Sequence, residues 1–383
     1  MRRSGYGLIA AVALLAAACV PAPPLNVAAV RSGLTIPWDV IWTPANANPG
    51  LAMVYTERPN GLTIIAAGQP ILQWKPADLL VASEAGMMST ELAPDFATSR
   101  RLFVCFASTT GPDVRIARLT LAPGYRSVTG RTDIVTGIPV NPLAELGRHS
   151  GCRLRFGPDG YLWVGTGDAA VGTNPQSPTS LGGKVLRIDQ DGKGVPGNAG
   201  SPFDPRIQSW GHRNVQGLAF RGDQAFGIEQ GTGCDDEVNR LVVGNYGWDP
   251  VPRTFGDPAY DENTPMTDTA RYPSAIRASW SSGCPTIATA GGTFLYGAGW
   301  GTWNGGLVLA ALKGTQLRWL RLSDDGWSTT AMSVSLTDRG RLRTPIVGPD
   351  LALYVTTSNG VDDQILRITP GTFAAGATAP QSA

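Results

Sequence analysis

Residues 153–168 read RLRFGPDGYLWVGTGD, from Arg153 to Asp168. One apolar-alternating run enters a Gly-Pro-Asp-Gly turn, and a second, Tyr161-Leu162-Trp163-Val164, leaves it. Period-two alternation on both sides of a turn signal is the pattern of two antiparallel strands. The unit recurs along the chain. It appears at Trp38 to Pro44, and at Glu91 to Asp95 followed by Leu102 to Phe106. It returns at residues 217–231 (GLAFRGDQAFGIEQG), in degenerate form at 291–312 (GGTFLYGAGWGTWNGGLVLAAL), and at 345–360 (PIVGPDLALYVTTSNG). Spacings of roughly 50–75 residues, at or above the ~40–50 of a four-stranded propeller repeat, suggest one blade per copy. The expected fold is all-β, a six-bladed β-propeller with its first and last repeats adjacent. A two-sheet sandwich would leave six copies of one hairpin unexplained.

Composition agrees. The chain has 383 residues, with 48 glycines, 30 prolines and 16% charged residues. Gly and Pro oppose helix interiors and serve tight turns, so the balance favours many short strands. The formal net charge is +1 and no basic stripe is present, which argues against a nucleic-acid partner.

The N-terminus reads as a targeting segment. Arg2 and Arg3 precede an uncharged apolar run, Leu8 to Ala18, too short to span a bilayer. It ends in Ala16-Ala17-Ala18-Cys19. Small residues before a cysteine resemble the lipobox of bacterial lipoproteins, in which the cysteine is acylated and becomes the mature N-terminus. Ala16 stands where that motif prefers Leu. The alternative is an ordinary cleaved signal with an incidental cysteine. The expected organisation is a signal peptide over 1–18, a proline-rich tether over 19–26, the propeller over 27–370 and a disordered tail over 371–383. The protein would then be exported and lipid-anchored at Cys19 to the outer face of the cell membrane. Of the other cysteines, Cys105 lies in the apolar run Leu102-Phe103-Val104-Cys105-Phe106 and reads as a buried small hydrophobe.

Loops at one end of a propeller converge on its axis, so their polar residues are the candidates for chemistry. The two histidines, His149 and His212, each lie beside an arginine in a loop before a repeat, in GRHSGCRL and WGHRNVQGL. Histidine is the side chain most readily poised as a general base near neutral pH. The loop EQGTGCDDEVN, residues 229–239, concentrates carboxylates and glycines that suit a hard cation such as calcium.

In this order these motifs resemble the soluble glucose dehydrogenases and aldose sugar dehydrogenases that use pyrroloquinoline quinone (PQQ). The resemblance runs from Gly33 to Ile368. It includes Pro37-Trp38-Asp39-Val40, Glu57-Arg58-Pro59, Glu84-Ala85-Gly86-Met87-Met88, His149 to Gly160 and Gly182 to Ile188. It continues through Gly211-His212-Arg213-Asn214, Glu229-Gln230-Gly231, Asp235 to Asn239, Asn245-Tyr246-Gly247-Trp248, Ala311 to Gly314 and Gly340 to Arg343. The resemblance implies that His149 takes the proton of the sugar's anomeric hydroxyl. Arg213 would polarise the quinone carbonyl, with Asn214 its neighbour in the cofactor site. It places the carbonyls of Gly231 and Thr232 on calcium, although the family usually has Pro at the second position. Lys313, Arg341 and Arg343 match cations that hold the three PQQ carboxylates, and Glu84, Asp168 and Gln176 match polar residues of the mouth. A tricarboxylate needs Lys and Arg, and hydride transfer needs a base and nearby positive charge.

Four further positions depart from the family. Arg148 stands where an acidic or amide residue usually precedes the histidine, Cys152 replaces Gly, and Cys234 enters the cation loop. Cys284 takes the place of an aromatic that packs on the cofactor. Cys234 and Cys284 occupy mouth loops of successive repeats and are expected to pair, with Cys152 the alternative partner for either. The function implied is oxidation of an aldose at C1 with PQQ and calcium. The second hypothesis is a non-catalytic propeller lipoprotein that serves as a binding or scaffolding module, since fold does not dictate function.

Overall fold

The computed structural model describes residues 17–141, 145–252 and 259–371. Most of the signal segment and nearly all of the C-terminal tail lie outside the described residues. Six sheets, each with four antiparallel strands and two with a short parallel strand added at the edge, form six blades around an axis. The innermost strands are Pro37–Trp42, Met87–Leu92, Gly151–Phe156, Val215–Arg221, Thr289–Phe294 and Leu342–Val347. Each touches the next around the ring, and the last touches the first. Five of the six repeats quoted above reach into the two inner strands of one blade; the first, Trp38 to Pro44, covers only the innermost strand, and its partner is Met53–Glu57. The outermost strand of the sixth blade is Leu25–Leu34, paired antiparallel with Asp363–Pro370, so the chain's beginning closes the ring on its end. That strand starts inside the proline-rich stretch 19–26. Just before it, Ala18–Cys19 pairs parallel with Ala331 and Met332 on the outer edge of the fifth blade. Among the described residues no helix is long and apolar enough to cross a membrane.

The turn that organises a blade is visible at residues 157–160. Gly157 donates to Tyr161 O at 2.9 Å, and Gly160, at φ +76°, donates back to Gly157 O. Asp159 accepts from Tyr161 N at 3.1 Å and from the Trp163 indole at 3.3 Å. Gly thus supplies the left-handed conformation and Asp the local acceptor.

The hub of the ring is charged. Asp39, fully buried, accepts from Arg155 at 2.8 and 2.9 Å, lies 3.0 Å from Arg153, and accepts from Ser89 Oγ at 2.6 Å. Arg153 also donates to Gln216 O and Thr344 Oγ1 and lies 4.2 Å over the Trp38 ring. Inner strands of five blades meet in this one network. Burial alone would raise the Asp39 carboxyl, but Arg155 and Arg153 outweigh it and hold the group at about 2.

The cysteines pair as Cys105–Cys152, Cα atoms 6.2 Å apart, and Cys234–Cys284, 4.3 Å apart. Cys105 is therefore buried but not free: it ties the second strand of blade two to the inner strand of blade three. Sequence alone placed it among the core hydrophobes because its partner lies 47 residues away, across a blade boundary. Cys19 is exposed and unpaired.

Candidate active site at the axial mouth

The residues before each inner strand gather at one end of the axis, because all six inner strands enter the ring from that end. His149 precedes the third, and its backbone is left-handed at φ +49°. This turn is possible because Gly167 lies against it: a Cβ there would sit 1.8 Å from the His149 carbonyl oxygen. The close approach delivers the next residue, Asp168, to the imidazole. His149 Nδ1 lies 2.8 Å from Asp168 Oδ1. The same oxygen accepts from Ala170 N at 2.8 Å, while Oδ2 accepts from the Trp248 indole at 2.8 Å and the Tyr260 hydroxyl at 2.6 Å. Burial would raise the Asp168 carboxyl, yet His149, Arg213 and Tyr260 keep it below its ordinary value. Asp168 therefore stays ionised and orients the histidine, the role that the missing acid at position 148 left open. Arg148 instead pairs with Glu145 and Glu262.

Arg213 and Asn214 precede the fourth inner strand. Arg213 is buried, donates to Gln230 O at 3.2 Å and to Glu262 at 2.9 Å, and has a buried Nε that finds no partner among the described residues. Asn214 donates to Glu84 at 3.0 Å and to Gln230 Oε1 at 3.1 Å, and accepts from Gly151 N. Gln216 links onward, donating to Glu84 at 3.4 Å and accepting from Arg343 at 3.1 Å. Arg343, buried above Trp38, has no carboxylate within salt-bridge reach among the described residues. Burial lowers its guanidinium to about 9; Glu84 counters this, and Arg153, Arg58 and Arg341 add to it. Around Arg343 the charges of Arg153, Arg58 and Arg341 thus outnumber the single carboxylate of Glu84.

His149, Asp168, Arg213, Asn214, Glu84 and Arg343 thus form one cluster, with the charge of Arg341 felt at its edge. Lys313 is exposed in the turn after Leu307–Ala311, at the same end of its blade. Gln176 is taken up elsewhere: its amide exchanges hydrogen bonds of 2.9 and 3.0 Å with Asn245 and donates to Trp248 O. It braces the 167–183 loop. His212 is also internal to the scaffold, held between Glu229 at 2.8 Å and Ser209 at 2.9 Å and stacked on Tyr246.

In the 229–239 loop, Gly231 N donates to Asp236 Oδ1 at 3.0 Å, and Asp236 Oδ2 accepts from Ile287 N at 2.7 Å. The Thr232 carbonyl accepts from Thr286 Oγ1 at 3.2 Å. Among the described residues no trio of His, Cys, Asp or Glu side chains is placed to hold a metal. Residues to which the sequence assigned no role are Tyr260, Glu262, Gln216 and Gln230. Tyr260 and Glu262 lie in the long irregular segment after Gly244–Asn245, where no repeat fixes their position.

Comparison with known proteins agrees with this fold. The glucose/sorbosone dehydrogenase family model matches residues 34–367. An uncharacterised protein of Synechocystis sp. is 30% identical, the alignment covering 90% of this chain and 87% of that protein. The aldose sugar dehydrogenase YliI of Escherichia coli is 28% identical over 97% of this chain and 100% of its own length. Among solved structures, the PQQ-bound form of an aldose sugar dehydrogenase from Streptomyces coelicolor superposes with a TM-score of 0.68 at 29% identity, covering 91% of this chain and 99% of that one. With a fold, a site order and a family model that span the same residues, the chain belongs to the glucose/sorbosone dehydrogenase family.

Proposed function

We propose that the protein is an aldose dehydrogenase that oxidises the sugar at C1 with PQQ and calcium. The observation that carries the reading is a base held by a buried acid, His149 on Asp168, beside buried arginines that lack enough carboxylates. Arg343 is a buried cation without an ion-pair partner among the described residues, and Arg213 keeps an orphaned Nε. Such donors fit an anionic, planar, polycarboxylate ligand. Arg343, Arg341 and Lys313 would hold its carboxylates, with Arg213 and Asn214 beside the reactive ring. The Gly231 and Thr232 carbonyls would hold calcium, the Thr232 oxygen keeping one lone pair beyond its bond to Thr286. When bound, the quinone supplies a two-electron acceptor. His149 Nε2 takes the anomeric hydroxyl proton, while Asp168 stabilises the imidazolium that results.

One observation favours the second reading, a binding module. Cys284 is bonded to Cys234 where an aromatic would pack, and the mouth loses that stacking face. Reconstitution of the purified protein with PQQ and calcium separates the two. The enzyme reading expects sugar-dependent dye reduction that chelation of calcium abolishes; no PQQ uptake at micromolar concentration would leave only the binding module.

We further propose that the protein is exported and acylated at Cys19. The exposed, unpaired thiol on the edge of blade five supports this. Cys19→Ala should release the protein from the membrane fraction or stall its processing. Unchanged membrane retention would reject acylation.

A further inference from the structure

Tyr260 enters the site from the segment that follows Gly244–Asn245, far in sequence from the histidine it approaches. Its hydroxyl lies 2.6 Å from Asp168 Oδ2 and 3.2 Å from His149 Nδ1. The two lengths assign the proton. A carboxylate is the stronger acceptor, and the short O–H···O contact is that of a charge-assisted bond, so the hydroxyl donates to Asp168. Burial, followed by the charge of Asp168, pushes the Tyr260 hydroxyl well above its ordinary value, so it remains a donor.

With its proton committed, the tyrosine oxygen presents a lone pair to Nδ1. Asp168 Oδ1 presents another at 2.8 Å. An imidazole with a bare Nδ1 would set three lone pairs against one another in a buried site. Only the form protonated on Nδ1 satisfies all three atoms, and in the neutral ring that leaves Nε2 as the acceptor. We propose that Tyr260 is a positioning residue that, together with Asp168, locks His149 in the Nδ1–H tautomer and reserves Nε2 for the incoming proton. The inference deepens the dehydrogenase reading and rests on it for the identity of the proton, but not for the tautomer.

Tyr260 also tempers Asp168. The carboxylate already serves Ala170 N and Trp248, and the tyrosine donor spreads its charge further. Other charges face this pair from every side. Arg148 and Glu145 lie on the histidine's own loop, Arg213 heads the fourth inner strand, Glu262 lies two residues beyond Tyr260, and Lys184 sits behind Asp168. None of them touches Nδ1 among the described residues, so the balance between Asp168 and Tyr260 decides the ring's proton.

The chain has two histidines, which makes the test direct. Nitrogen-15 and proton NMR of the unliganded protein reads both tautomers, with His149→Ala assigning the signals and His212 serving as internal control. The neutral His149 ring is expected to carry its proton on Nδ1; protonation on Nε2 in the wild type would overturn the proposal without any variant. In Tyr260→Phe the neutral His149 ring should begin to populate the Nε2–H form, because one of the two acceptors facing Nδ1 is gone. Asp168→Asn should shift the tautomer further the same way. The His212 tautomer should stay in place in both variants. A Tyr260→Phe protein whose His149 tautomer is as fully Nδ1–H as wild type would show that the tyrosine merely fills space. If the NMR outcome holds while the PQQ-loaded protein oxidises no sugar, the dehydrogenase reading fails and the tautomer lock stands.

Discussion

His149→Ala is expected to lower sugar-dependent dye reduction by about 10²–10⁴-fold while leaving PQQ affinity within about threefold of wild type. The split follows from position. His149 is bonded to Asp168 and neighbours Tyr260, and neither contact is a hydrogen bond to Arg213 or Arg343. Removing it deletes the proton acceptor but none of the buried cations. Arg343→Ala should show the converse, an affinity for PQQ weaker by about 10–100-fold, the worth of a charge-assisted hydrogen bond in a desolvated site. Fluorescence titration gives the affinities, and single-turnover dye reduction gives the rates. If His149→Ala retained more than a tenth of the wild-type rate, the base would have to be sought elsewhere at the mouth. Equal losses of affinity in both variants would mean that the cluster had collapsed as a unit.

Asp39→Ala is expected to destabilise the fold by about 3–5 kcal/mol, the cost of leaving buried charge without its partner. Arg153 is 1% exposed, and both Arg153 and Arg155 depend on Asp39 for their closest carboxylate contacts. The loss should appear as a lower denaturant midpoint. Asp39→Asn, which keeps hydrogen-bonding capacity but not charge, should fall between wild type and alanine. A Leu or Met at position 39 would not restore stability, since Arg153 would be left without a carboxylate and Arg155 with only Glu91, at 3.3 Å. The acid response has a definite sign. The folded protein holds this carboxyl at about 2, below the 3.8 of an unpaired aspartate, so its contribution is fully present above pH 3.8 and is lost as the pH falls through about 2. An Asp39→Ala variant as stable as wild type within about 1 kcal/mol would show that solvent or a neighbouring acid compensates the arginines.

The hub and the mouth are linked through particular residues. Gln216 accepts from Arg343 at the mouth through its side chain, and its carbonyl accepts from Arg153 in the hub. Trp38 lies beneath both arginines. The arginine cluster is thus built on the same inner strands that hold the ring together, which positions its charges on rigid elements.

The blade architecture was legible in the sequence because it rests on local rules. Period-two alternation and a Gly-Pro-Asp-Gly turn specify a hairpin within about 16 residues, and repetition specifies how many hairpins there are. The order of the motifs around His149, Arg213 and Arg343 was legible for the same reason, since each precedes a repeat whose inner strand is recognisable. What tertiary structure alone decided is which side chains face one another across the ring. Cys105 could not announce Cys152, because their strands belong to different blades. Asp168 read as one more polar residue of the mouth until Gly167 let the His149 carbonyl approach and brought the carboxylate to the imidazole. Gln176 read as a mouth residue and is instead consumed by Asn245. Tyr260 carried no signal at all, for it lies in an irregular segment without periodicity, and its place beside His149 depends on where a long loop folds back. Pairings between distant segments are set by the closure of the ring, a global constraint that no window of sequence contains.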